Sequence, residues 1–316
     1  VTLFQDDGTR VFREPPHAPE QRKPGRRLAI AMTILAVVSA GLLALTALPS
    51  NPLSWLTHYS MSAELGAVAD RIGFTDEGLA IFTSTEPELL TDAPFREACD
   101  DDEDSDDGEG STVGCYYGIG DTGRIAIFQP SDPRLADQVA VTVAHEFLHA
   151  AYERIAPADR ERLDELLDAR WAELPENDPM RQTLELSVGE NTDAQGTEEF
   201  AYLGSELADA GPELETYYAP YFRDRQAVVA FDAADDALWA GVDADYQAAL
   251  DALTTADDAV AAETAELASG RITDPVQRSE AQAALTARQA EVDALQTELD
   301  RLDADYDALI DASLPG

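Results

Sequence analysis

Residues 132–155, DPRLADQVAVTVAHEFLHAAYERI, decide how the rest of the chain is read. Asp132 followed by Pro133 has the form of a helix start, an acidic N-cap with proline at the first helical position. Val139, Val143, Phe147 and Ala150 then recur at helical spacing, which predicts one long helix from about Pro133 to Ile155 with an apolar face. On a different face stand His145 and His149, four residues apart and so one above the other. Two imidazoles placed this way suit one Zn²⁺ at about 2.0–2.1 Å. Glu146 projects beside them, where it can take a proton from water. The chain has four histidines (His17, His58, His145 and His149), and two of them fall in this segment.

A catalytic zinc requires a third protein ligand and an open position. A histidine six residues beyond His149 would supply it in the metzincin pattern, but position 155 is Ile and no histidine follows His149. A protein third ligand must then be a carboxylate. Thr197 reads as the cap of a helix running to about Ala210 and stopped by Gly211-Pro212. That helix opens with Glu198-Glu199-Phe200-Ala201.

With H-E-x-x-H at 145–149 and E-x-x-A at 198–201, residues 133–209 resemble a gluzincin-type zinc metallopeptidase. The resemblance implies a zincin-like domain in which His145, His149 and Glu198 hold Zn²⁺ and Glu146 acts as general base in peptide-bond hydrolysis. Glu199, which would pair with Tyr202, is the alternative third ligand. Some members of that group carry an Asp one turn after the ligand Glu to orient an imidazole. Tyr202 stands at that position here, and Glu153 is a substitute candidate. The group often has a His or Tyr for the oxyanion. With no further histidine, Tyr217, Tyr218, Tyr221 and Arg225 are the candidates.

Upstream, Met61, Leu65, Val68 and Ile72 recur at helical spacing. Leu79–Thr83 (LAIFT) reads as a short strand. Cys115–Ile119 and Arg124–Gln129 read as two strands joined by Gly120-Asp121-Thr122-Gly123, a hairpin signal. The strand 124–129 is expected to offer its edge to an extended substrate. Leu28–Leu48 is a run of 21 residues without a charge, long enough to cross a bilayer, and Arg22, Lys23, Arg26 and Arg27 precede it. By the positive-inside rule it predicts a single-pass signal anchor with residues 1–27 as a cytoplasmic disordered arm and the remainder outside the cell membrane. A cleaved signal peptide fits less well, because the apolar run is long and no A-x-A-like site follows it. Residues 49–60 read as a linker.

The chain of 316 residues has 63 acidic and 21 basic side chains, a formal net charge of −42. The first 27 residues hold six basic and four acidic groups, so the anionic character lies beyond the apolar run. Such a surface repels nucleic acid and anionic lipid. Cys99 and Cys115, both on the exported side, suggest a disulfide worth about 3 kcal/mol in the chain-entropy model. The acidic run between them invites a calcium reading, but Asp107 stands where an EF-hand loop needs glycine, and a solvated loop fits better.

After Pro212 the pattern is almost wholly helical. Val292, Leu295, Leu299, Leu302, Tyr306 and Leu309 alternate at steps of three and four, an a/d seam. It pairs with residues 231–269 in a helical hairpin, or serves as a self-association surface. The fold class expected is therefore α+β. A mainly helical zincin-like metallopeptidase domain with a small antiparallel sheet (61–230) precedes a long helical, coiled-coil-like region (231–316). The function expected is a membrane-anchored zinc metalloendopeptidase acting on extracytoplasmic peptides or proteins. A non-proteolytic metal-binding surface protein and a coiled-coil envelope scaffold are the alternatives.

Overall fold

Ser62 and Thr75 start the first two helices of the body by side-chain capping, accepting from the amides of Leu65 (3.1 Å) and Gly78 (3.0 Å). The computed structural model describes residues 3–4, 10–11, 59–99, 112–118, 122–189 and 194–316. In chain order the elements are β1 (Leu3–Phe4), β2 (Arg10–Val11), α1 (Ala63–Ile72), α2 (Asp76–Ser84), β3 (Glu88–Leu90) and α3 (Asp92–Cys99). Then follow β4 (Gly114–Tyr117), β5 (Arg124–Phe128), α4 (Ala136–Arg154), α5 (Pro157–Ala172) and α6 (Pro179–Val188). The last are α7 (Gln195–Ser205), α8 (Pro212–Tyr218), α9 (Arg225–Ala268) and α10 (Pro275–Ser313). The chain is mainly helical with a small sheet, an α+β architecture.

Within residues 1–27, read as an arm without regular structure, β1 pairs antiparallel with β2. The predicted anchor 28–48, the linker up to residue 58 and the acidic run with its calcium reading lie outside the described residues. Among the described residues no helix is long and apolar enough to cross a membrane.

The three-stranded sheet has the order β3-β5-β4. The predicted hairpin is there, with Gly114 opposite Ile127 and Tyr117 opposite Arg124. The sheet is mixed rather than wholly antiparallel, because β3 runs parallel to β5. Parallel neighbours need a crossover, and here α3 and β4 intervene. With β5 in the centre, both of its edges are taken, which overturns the reading of 124–129 as an open edge for substrate. LAIFT is also not a strand. It lies inside α2, where the Thr75 cap and the first-turn acids Asp76 and Glu77 favour helix over the β propensity of Ile81 and Phe82. The strand that was missed, Glu88–Leu90, has no β-branched residue.

α4 runs through the middle of the body. Asp132 caps the short 3-10 turn before it, as the Asp-Pro pair predicts. The expected two-faced helix is instead buried almost all round, from Ala140 through Ala151. Phe147 anchors the main core with Phe74 at 4.6 Å between ring centroids and Phe222 at 5.6 Å. A second core lies behind the sheet and comprises Phe95, Cys99, Val113, Cys115, Ala126, Phe128 and Val141. Cys99 and Cys115 are disulfide-bonded inside it, with Cα atoms 5.9 Å apart.

The heptad seam faces α9 of the same chain. Leu299, Tyr306 and Leu309 are buried, and Trp239 meets Tyr306 edge-on at 6.2 Å. α9 is continuous for 44 residues. The 230/231 boundary therefore falls inside one helix, whose first turns (Arg225, Val228, Val229) are buried in the body. The far end of α10 returns to the body through Arg134–Asp305 (2.9 Å) and a Gly316 amide bond to Asp92 (3.2 Å).

Candidate metal centre

α4 and α7 cross so that His145 and His149 face Glu198. His145 Nε2 lies 3.7 Å from Glu198 Oε2, and His149 Nε2 lies 3.7 Å from Glu198 Oε1. All three offer ligand atoms within 4.8 Å of one another, and no other such group of three occurs among the described residues. Two donors each about 2.0–2.1 Å from a tetrahedral ion stand roughly 3.4 Å apart, so the spacing matches a single small cation.

The electrostatics point the same way. His145, Glu146 and Glu198 are 0 % exposed and His149 1 %. Both ring nitrogens of His145, Nε2 of His149 and both carboxylate oxygens of Glu146 and Glu198 lack any hydrogen-bond partner. Buried polar atoms are almost always paired, and an orphaned cluster calls for an ion or water. Burial pushes His145 down to about 3 and His149 down to about 4, the latter partly offset by Glu198, so both lone pairs are available to a cation. Burial lifts Glu198 to about 7 and Glu146 well above the carboxylate range, with the Glu198 charge adding to the Glu146 rise. The donor set of two imidazoles and one carboxylate fits zinc and other borderline divalent ions better than calcium.

Glu199, the alternative ligand, points elsewhere. It accepts from Gln195 Nε2 at 2.9 Å and feels Asp164 and Asp168 across on α5.

Thr197 is not the helix cap. α7 starts two residues earlier, at Gln195. The Thr197 hydroxyl instead lies 2.8 Å from His149 Nδ1. A ligating imidazole usually has its second nitrogen held this way, which fixes the tautomer. α7 also ends at Ser205 rather than Ala210, because Arg225 gathers carbonyls at its end, including those of Leu207 (2.7 Å) and Ala208 (3.1 Å).

The other candidates have different work. Glu153 accepts from Tyr116 OH at 2.6 Å, so it does not orient an imidazole. Tyr202 packs its ring edge-on against His145 at 4.5 Å and shares a hydrogen bond with Ser187 at 2.7 Å. Tyr218 OH donates to the Phe200 carbonyl at 3.0 Å, Tyr221 packs against Phe147, and Tyr217 lines the main core. Arg225 is bound to Glu215 as well as to the α7 carbonyls. What sequence reasoning missed is Thr197 in its true role and the approach of β4 to Glu146. The only signal for the first was a hydroxyl residue directly before Glu198.

No protein-family model, no curated protein and no solved structure matches this chain.

Proposed function

We propose that this chain is a zinc-dependent metalloendopeptidase, anchored in the cell membrane by residues 28–48 and acting on peptides or proteins outside the cytoplasm. One observation carries the reading. His145, His149 and Glu198 bring orphaned donor atoms together in a buried site, with Glu146 adjacent to them in sequence. Bound there, zinc would supply Lewis acidity, acidifying water and polarising a carbonyl. The chain's own residues do the rest. In its ionised form, which burial opposes and the charge of a bound cation would favour, Glu146 takes the proton from the attacking water and hands it to the leaving amine. Thr197 holds His149, and the Tyr202 ring walls His145.

A second reading, a closed structural metal site on a non-proteolytic surface protein, is favoured by the near-complete burial of all four groups. It is also favoured by the engagement of Tyr218, Tyr221 and Arg225 elsewhere.

Metal analysis and a peptide-library digest of the full chain separate the two. The peptidase reading expects one zinc per chain, chelator-sensitive cleavage, metal loss in Glu198→Ala, and cleavage reduced about 10²–10⁴-fold with metal retained in Glu146→Gln. Zinc without cleavage supports the second reading, and no zinc defeats both.

A further inference from the structure

Side chains on β4 alternate. Val113 and Cys115 face the second core behind the sheet, while Gly114 and Tyr116 face α4. The forward face meets the base directly. A Cβ built on Gly114 would stand 2.5 Å from Thr142 Cγ2 and 2.9 Å from both Cγ and Oε1 of Glu146. Thr142 and Glu146 are one turn apart on α4, so glycine is what lets the strand come this close. The next forward residue, Tyr116, is held to α4 by its hydroxyl, which donates to Glu153 at 2.6 Å.

The backward face is tied down. Cys115, between those two residues, is bonded to Cys99, the last residue of α3. Residues 100–112, between the two cysteines, contain eight acids. At the N-terminal end of β4 the disulfide acts beside the pairing with β5, the bond from the Phe128 amide to the Val113 carbonyl (2.8 Å) and the burial of Val113 in the second core.

We propose that the Cys99–Cys115 disulfide is a strap that presses β4 onto α4, so that Gly114 sets the position of the Glu146 carboxylate. Cys115 and Gly114 are then positioning residues for the proposed base, and this inference rests on the peptidase reading. The metal ligands come from α4 and α7, not from β4, so the strap acts on the base without acting on the ligands.

The test uses the full chain with Cys99→Ser/Cys115→Ser and, separately, Gly114→Ala with the disulfide intact. For the serine pair, amide exchange over 114–117 is expected to quicken at least tenfold, with exchange in α4 and α7 unchanged and one zinc retained. Both variants are expected to lower kcat about tenfold or more at similar KM. In a Glu146→Gln background the serine pair should lower the residual rate no further, because both changes act through one group.

Unchanged exchange in β4 overturns the proposal. So does exchange rising equally in β4, α4 and α7 with rate losses that multiply, since that is general loosening of the fold. If the parent protein binds zinc but cleaves nothing, the peptidase reading fails. The strap is then judged by exchange alone, where a β4-confined change sustains it and anything else defeats it.

Discussion

The hydroxyl of Thr197 sits 2.8 Å from Nδ1 of His149, on the far side of the ring from the nitrogen that faces Glu198. The residue directly before Glu198 thus holds a histidine of the candidate metal site, and α7 delivers both contacts from consecutive positions.

Thr197→Val keeps the side-chain shape and removes the hydrogen bond. It should weaken metal affinity about 10–100-fold, as measured by competition with a chromogenic chelator. Thr197→Ser should restore most of the loss. Equal affinities in all three proteins would remove Thr197 from the site.

The pH dependence of metal binding has a definite sign. Both imidazoles stay unprotonated above about pH 4, whereas burial lifts Glu198 to about 7. Below pH 7 an incoming metal must displace the Glu198 proton, and above it no proton is displaced. In the Glu146→Gln protein, where the base does not titrate, affinity should fall about tenfold per pH unit from 7 to 5 and level off above 7. Calorimetry in two buffers of different ionisation enthalpy counts the proton directly. A slope of two would show that an imidazole is protonated as well.

A second set of acids tests linkage away from the metal. Burial, reinforced by neighbouring acids, raises Asp232 and Asp235 to about 7 at the start of α9. A folded-state pKa above the unfolded one means the folded chain holds the extra proton, so this stability is fully present below pH 3.8 and is lost progressively as pH rises from there to about 7. Asp232→Asn should therefore melt a few degrees above the parent at pH 8, by about half that margin at pH 5.5, and level with it near pH 4, in thermal denaturation of the chelated protein. A difference independent of pH would mean that Asp232 is not proton-linked.

Arg225 is 6 % exposed and satisfies carbonyls at the end of α7 while pairing with Glu215. Arg225→Ala removes the donor to the Leu207 carbonyl, while the Ala208 carbonyl keeps Gln226 Nε2 at 2.7 Å, and should cost about 2–4 kcal/mol in denaturant unfolding. Glu215→Gln should cost less than about 1 kcal/mol, since the Glu215 side chain is 39 % exposed and screened by solvent.

Much of the site was legible because its chemistry is local. H-E-x-x-H needs only a helix, and the Asp132-Pro133 start made that helix plain. The choice of Glu198 over Glu199 could be ranked from the pattern but not decided, because it depends on how α7 rolls against α4. Thr197 was misread for a related reason. Hydroxyl residues near a helix start cap by default, and only a neighbouring helix offers another partner. LAIFT failed where tertiary contact overrode propensity, with Phe82 packing against Phe74 at 5.0 Å from within a helix. The parallel partner of β5 was hidden because a three-residue strand leaves almost no periodic trace.

The long C-terminal hairpin has a mechanical consequence. α9 begins at the arginine that closes the end of α7 and continues without interruption for 44 residues, about 65 Å at helical rise. A partner grasping the turn at Ser269-Gly270 would hold the far end of a stiff lever whose fulcrum is the Arg225–Glu215 clamp. Torque applied there would arrive at α7, the element that carries Glu198.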